Sequence, residues 1–307
     1  MREIMECVPN FSTSNPIVVK AILNEIEKVN SAYLLDSTYD NYYNRLVVSV
    51  VGDKNSILKA ALNSAAKAIE LVDMNKHNGQ HPRIGAVDVV PFIPIRDTTM
   101  QDCIQLARRF GEMLAQRCNV PVYLYGEAAT QPERRDIDWI REGEYEGLRK
   151  KMKQPNRKPD FGPPHPHKTA GATITGARKI MAGFNVNLGT ADLKIAKRIA
   201  KALHAKKGGL AFVKAIGVEI PEKHLTQIGM SITDFEKTPL YRVFELIKVE
   251  AKRYSVPIVG SEFCGLAPLR AIMDVASYYL KIDNLSEDRV LEIAVQMAVE
   301  RGRGKGG

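Results

Sequence analysis

Four of the six histidines fall in two short clusters, His77 with His81 and His165 with His167. The first cluster lies in Met74-Asn-Lys-His-Asn-Gly-Gln-His81-Pro-Arg-Ile-Gly-Ala-Val-Asp88. Histidines at i and i+4 share one face of a helix and could hold a metal. Gly79 between them and Pro82 after them argue against a continuous helix. No Asp or Glu stands nearby as a third ligand, so no metal is expected. His77 reads as an exposed loop histidine. His81 is the better candidate for chemistry: a polar loop opening into an aliphatic strand is where a rigid sheet presents a proton-transfer group.

The elements that must position these residues follow from the hydrophobic pattern. Ile4 to Val8 reads as a strand ended by Pro9, and Asn15-Pro16 as a cap and first turn for a helix with Val18, Ile22 and Ile26 on one face. Strands are expected at Ala32–Asp36 and Leu46–Val51, then a helix capped by Asp53. Val87 to Ile95 alternates as a strand, but Pro91 and Pro94 keep it from being central along its whole length. Thr98 with Gln101 resembles a capping box for a helix running to about Cys118. Val122–Tyr125 is a strand, and Trp139 lies in a polar helical stretch. Arg149 to Lys168 carries seven Lys and Arg against the single Asp160, with Pro and Gly breaking regular structure. It reads as a long basic loop. Gly171-Ala-Thr-Ile-Thr-Gly176 has the small residues of an anion-binding turn, without the Gly-Lys-Ser/Thr ending of a Walker loop. Beyond it come a strand at Phe184–Leu188, a helix capped by Thr190 and ended by Gly208-Gly209, and strands at Phe212–Ile220 and Leu225–Ile232. A helix from Thr238-Pro239, a strand at Val256–Gly260 and helices at Leu266–Leu280 and Ser286–Glu300 complete the pattern. The tail Arg301 to Gly307 reads as disordered.

Both halves therefore run strand–helix–strand–strand–helix–strand. That order predicts an α+β fold of two α/β sandwich lobes. Each is a mainly antiparallel sheet with helices on one face, in ferredoxin-like βαββαβ order, with a ligand groove between them. The expected boundaries are 1–178 and 179–307. Of the 307 residues, 45% are hydrophobic and 26% charged, which excludes disorder and collagen-like composition. Cys7, Cys103, Cys118 and Cys264 are scattered without a CxxC pair, as in a reduced cytoplasmic protein that uses them as small apolar fillers. No secretory signal or membrane-length apolar run is present. Lys and Arg exceed Asp and Glu by 44 to 35, a net charge of +9 that calls for an anionic partner. The basic segment holds Phe161 as its only aromatic, and the lysines of Lys194–Lys207 alternate with apolar residues as on a solvated helix face. Nucleic acid is therefore not the preferred partner.

Several segments together resemble the glutamate formiminotransferase family. They include Glu6-Cys-Val-Pro-Asn-Phe-Ser12, Asn44-Arg45, His77–Asp88, Val90-Pro-Phe-Ile-Pro-Ile-Arg96 and Val120–Ala128. Arg141-Glu-Gly-Glu-Tyr-Glu146, Asp160-Phe-Gly-Pro163, Thr169–Thr173, Gly176-Ala-Arg178, Phe184-Asn-Val-Asn-Leu188 and Val259-Gly-Ser261 extend the likeness along nearly the whole chain. The resemblance implies transfer of a formimino group from N-formimino-L-glutamate to N5 of tetrahydrofolate, giving 5-formiminotetrahydrofolate and L-glutamate in histidine degradation. It implies tetrahydrofolate as co-substrate, no tightly bound cofactor, and a homodimer. The chain is expected to hold two transferase lobes without the cyclodeaminase fused to them in animals.

By the same resemblance the catalytic histidine is His81. It would act as general acid and base, taking a proton from the attacking N5 and returning one to the departing nitrogen. A group titrating near neutrality suits both tasks. The folate loop is carried over onto Gly162, Pro163, Pro164, His165, Pro166, His167, Lys168, Thr169, Ala170 and Gly171. Pro164 to Lys168 departs from the animal pattern, whereas His167 with Thr169-Ala-Gly-Ala resembles microbial members. Asn44, Arg45, Arg83 and Arg178 are candidates for substrate contact, the arginines because guanidinium grips carboxylates bidentately; structural salt bridges are the competing role. Formiminoglycine or 5-formyltetrahydrofolate as donor, or a non-catalytic folate- or RNA-binding protein, are the alternatives.

Overall fold

A computed structural model describes residues 3–303. The chain divides into two compact units, 1–179 and 180–307. The first contains β1 (Ile4–Cys7), β2 (Asn10–Phe11), α1 (Pro16–Glu27), β3 (Ala32–Asp40), β4 (Arg45–Gly52), α2 (Lys54–Leu71), β5 (Val87–Arg96) and α3 (Met100–Cys118). It continues with β6 (Val122–Gly126), α4 (Ile137–Arg141), α5 (Glu144–Lys151) and β7 (Thr173–Ala177). The second contains β8 (Ala182–Leu188), α6 (Leu193–Leu203), β9 (Val213–Ile220), β10 (Leu225–Ile232), α7 (Leu240–Arg253), β11 (Ile258–Cys264), α8 (Leu269–Leu280) and α9 (Leu291–Arg303).

The first unit is built on a mixed seven-stranded sheet. β1 and β2, separated at Pro9, lie between β4 and β5 and are antiparallel to both. β3 flanks β4 antiparallel, while β7 joins β5 and β6 joins β7 in parallel. The two prolines of β5 are accommodated as expected of a strand that is not flanked throughout. Pro91 accepts from the Val8 amide at the β1–β2 break, and Pro94 lies past Phe92, the last residue paired with β7. Helices α1, α2 and α3 cover one face, where Ile22, Ile57, Leu106 and Phe110 meet Phe11, Leu46, Val90 and Leu124. The expectation of helices on one face fails at the β6 end. Val122 and Leu124 turn to that core, whereas Tyr123 and Tyr125 pack on the other side with Ile140 of α4 and Leu148 of α5. Alternating residues buried on both faces require a cover on each.

The second unit is an antiparallel sheet ordered β11-β8-β10-β9. Ile199 of α6 and Val243 and Ile247 of α7 pack on Val186, Ile228 and Met230. On its opposite face Asn185, Asn187, Gln227 and Glu262 hydrogen-bond across three strands.

Several local expectations are corrected. The cap of α3 is Thr99, whose side chain and Asp102 form a reciprocal capping box. Asp192, not Thr190, caps α6. Gly171–Gly176 is not an exposed turn: it leads into β7, where Thr173 and Thr175 are fully buried between β5 and β6. Arg149–Lys151 closes α5, and the rest of the basic segment is tied down rather than loose. Arg134 donates to Asp160 at 2.6 Å, Phe161 bridges Val122, and Arg157 stacks on Trp139 and donates to Glu142 at 2.5 Å. The tail expected to be disordered is helical through Arg303, and 304–307 lies outside the described residues. Cys7 and Cys103 are buried fillers, Cys118 is half-buried and Cys264 is exposed. Among the described residues no helix is long and apolar enough to cross a membrane.

Candidate active site

The site forms where β2, β4 and β5 of the first unit come together. Leu46 pairs with Phe11 and both enter the helix-covered core, so their neighbours Arg45 and Asn10 turn to the opposite face. Arg45 is 8% exposed and Asp88 fully buried. Arg45 Nη1 donates to Asp88 Oδ2 at 2.9 Å and lies 2.7 Å from His81 Nδ1. Asn10 Oδ1 accepts from Arg45 Nε at 3.0 Å and Nη2 at 2.6 Å. Arg141 of α4 donates to Asp88 Oδ2 at 2.5 Å, and the Ile84 amide to Asp88 Oδ1 at 3.1 Å. The half-buried imidazole of His81 also has its Nδ1 2.7 Å from the Pro82 carbonyl oxygen. Tyr43 meets the ring edge-on, centroids 6.4 Å apart.

The electrostatics follow from this packing. Burial opposes the charge of Asp88, but Arg141 and Arg45 outweigh it and hold the carboxyl down at about 2. Burial, then Arg45 and Arg141, push His81 down to about 3, with Asp88 and the Pro82 carbonyl working the other way. The expectation of a group titrating near neutrality therefore does not hold. With its pKa held that low, the His81 ring is neutral throughout the physiological range.

The other candidates occupy distinct places. His77 is not an exposed loop residue: it is half-buried, Nε2 3.0 Å from the Asn44 carbonyl, and Nδ1 accepts from Arg83 Nε at 3.3 Å. Burial lowers its pKa. Asn44, in the left-handed region at φ 46°, accepts from the Ser14 amide and donates to the Asn78 carbonyl, clamping the His77–His81 loop to the start of β4. Arg83 is buried with Nη1 on Glu144 at 2.6 Å and Nη2 on Glu146 at 2.6 Å, so the protein itself supplies its carboxylates. Arg178 lies beside Glu6, where burial raises the carboxyl while Arg178 draws it down, and it hydrogen-bonds Tyr125.

The segment 162–171 approaches the same region through its second half. Ala170 accepts from the Ala86 amide, Gly171 bridges Gly85, and the Met74 amide donates to the Thr169 carbonyl at 2.8 Å. His167 Nδ1 accepts from the Thr169 and Ala170 amides, so this ring shapes the turn. Gly162, Pro163, Pro164, His165 and Pro166 precede it, with His165 and Lys168 exposed. Gly171 at φ +70° leaves no room for a side chain, since a Cβ would strike the Ile84 carbonyl. Among the described residues no group of three His, Cys, Asp or Glu is placed to hold a metal.

Asn10, Asp88 and Arg141 were not singled out by residue chemistry, although each lies in a segment that carries the family resemblance. The one available signal was an acidic residue amid the aliphatics of a strand. What the cluster can do is hold a neutral imidazole rigidly, with Nδ1 engaged and Nε2 left for proton transfer.

Comparison with known proteins agrees with the segments. A model of the formiminotransferase domain, N-terminal subdomain, matches residues 4–178, and one of the formiminotransferase domain matches 183–301. A glutamate formimidoyltransferase of Streptococcus pyogenes is 42% identical over 92% of this chain and 95% of its own. One of Thermoplasma acidophilum is 43% identical over 96% and 98%. The formimidoyltransferase-cyclodeaminase of Mus musculus is 43% identical over 96% of this chain but only 56% of its own length.

Proposed function

The chain belongs to the formiminotransferase family, and from that premise we propose that it moves the formimino group of N-formimino-L-glutamate to N5 of tetrahydrofolate. The products are 5-formiminotetrahydrofolate and L-glutamate. The observation that carries this reading is the family likeness along both units, with His81 on the buried Arg45–Asp88 anchor at its centre.

In this mechanism N5 adds to the formimino carbon, and the tetrahedral adduct carries an extra proton on N5. That nitrogen is then strongly acidic, so the neutral imidazole of His81 is base enough to take the proton at Nε2. The resulting imidazolium gives it to the glutamate nitrogen, the carbon–nitrogen bond breaks, and glutamate leaves. Such acid–base help is worth ~10²–10⁴ in rate. Holding two substrates in register supplies much of the remainder. The loop Gly162–Gly171 is assigned to folate, with Asn44 holding the His81 loop in place. Arg178 remains a candidate for a substrate carboxylate, whereas the neutralised Arg83 is better suited to support. Ferredoxin-like lobes, a homodimer and a cytoplasmic location belong to the same reading.

The test is to incubate the protein with tetrahydrofolate and either N-formimino-L-glutamate or formiminoglycine, and separately with 5-formyltetrahydrofolate and L-glutamate, where formyl transfer would give N-formylglutamate and tetrahydrofolate. The expected result is one 5-formiminotetrahydrofolate per glutamate released, fastest with the first donor. Faster turnover of either other donor would reassign the substrate, and folate binding without turnover of any would reject the enzyme.

A further inference from the structure

Nδ1 of His81 has two neighbours of opposite character. Arg45 Nη1, 2.7 Å away, can only donate; the Pro82 carbonyl oxygen, 2.7 Å away, can only accept. An imidazolium satisfies Pro82 but presses an N–H and a positive charge against the guanidinium. Arg45 is not free to swing aside, because Asn10 fixes Nε and Nη2 and Asp88 takes an Nη1 hydrogen. Asp88 is itself fixed by the Ile84 amide and Arg141.

We propose that Arg45, locked by Asp88 and Asn10, is a positioning residue for His81, one that sets where the imidazole carries its proton and shortens the life of the imidazolium, and is not a ligand for a substrate carboxylate. The proposal rests on His81 being the proton carrier. Each neutral tautomer satisfies one of the two neighbours, without the added charge of the imidazolium. With Nδ1–H on the Pro82 carbonyl, Nε2 has a lone pair and accepts the N5 proton of the adduct. With Nδ1 accepting from Arg45, Nε2–H is a donor. The charged state between the two halves of the reaction is the one the arginines oppose, which drives the proton on to the departing nitrogen and returns the ring to neutrality. The groups bearing on the ring are Arg45 from β4, Arg141 from α4, Asp88 from β5 and the Tyr43 ring before β4. Burial of the ring does most to favour its neutral form, and two cations against one anion push the same way.

Nitrogen-15 NMR of the histidines, with His81 assigned through its loss in His81→Gln, reads the tautomer and the titration directly. In the unaltered protein the ring is expected to stay neutral from pH 8 to below 5. In Arg45→Met the titration midpoint should rise by at least about one pH unit. The acid limb of kcat/KM should follow it, with KM for formiminoglutamate within ~3-fold. Asn10→Ala changes no charge but unlocks the guanidinium, and should shift the midpoint the same way by less. A ~30-fold or larger rise in KM with an unchanged midpoint would make Arg45 a carboxylate ligand and overturn the proposal. Should Arg45→Met not fold, Arg45→Gln, which also removes the charge, replaces it, and an unmoved His81 midpoint in both Arg45→Gln and Asn10→Ala overturns it equally. The NMR measurement needs no turnover, so it decides this point even for a protein that fails to transfer a formimino group.

Discussion

Arg45 and Arg83 share one residue type and an anionic environment, yet they do different work. Arg83 bonds to Glu144 and Glu146, both open to water, so its loss leaves carboxylates that can rehydrate. Arg83→Met should cost about 1–2 kcal/mol in urea unfolding. It should leave both substrate KM values within ~3-fold. Asp88 is the opposite case, since it is buried between two guanidiniums. Asp88→Asn leaves those cations facing each other and should cost about 3–5 kcal/mol by the same measurement. A loss under 1 kcal/mol would mean that solvent reaches the cluster. At this scale the sequence made His81 legible, because a polar loop before an aliphatic strand is a local pattern. It left Asp88 and Arg141 unassigned, because their partners lie 43 and 53 residues away. Charge cancellation at that separation has no local signature, and so the depressed pKa of His81 was equally hidden.

Among the elements, β7 and the loop before it show what periodicity can and cannot reveal. Most helices were readable from their apolar spacing, and α1 and α2 begin where Asn15 and Asp53 placed them, whereas the caps of α3 and α6 lie one and two residues further on. The run Thr173–Ala177 has Ile174 as its one large aliphatic and looked like a turn. It is a strand because β5 and β6 enclose it, so small residues suffice to fill the space. The basic segment before it is ordered by distant partners, Arg134 for Asp160 and Trp139 for Arg157, which no local pattern encodes. Gly171 connects this loop to the His81 strand. Gly171→Ala adds a Cβ against the Ile84 carbonyl at a left-handed backbone. It should destabilise the protein by at least about 1–3 kcal/mol in thermal unfolding. If the loop binds folate, KM for tetrahydrofolate should rise more than KM for the donor. Equal effects on both would remove the loop from that role.

For the molecule as a whole, the +9 charge and the buried titrating groups set the response to solution conditions. Several of the basic side chains are neutralised in place, including Arg83, Arg134 and Arg157. The remainder should still attract carboxylate-rich folates, so kcat/KM for a polyglutamyl folate should fall as salt rises, and more steeply than for a monoglutamate. Acidity acts through the depressed groups. Below pH 6.5 the unfolded chain protonates His77 and His81 while the native protein resists, so stability declines with falling pH until His81 charges near 3. Asp88 extends the decline from 3.8 to about 2, because its native carboxylate stays ionised after the unfolded one is protonated. Glu6, raised chiefly by burial, works in the opposite direction around and above 4.5. The urea midpoint should therefore be lower at pH 5 than at pH 7.5, and His81→Gln should flatten that difference. An unchanged difference in His81→Gln would mean the imidazole titrates normally in the native state.

The most direct test of the central claim separates chemistry from binding in His81→Ala. Formimino transfer from N-formimino-L-glutamate should fall ~10²-fold or more. The dissociation constant for tetrahydrofolate should change less than ~3-fold, since His81 is assigned to proton transfer rather than to grip. Full transfer activity in that variant would contradict the account.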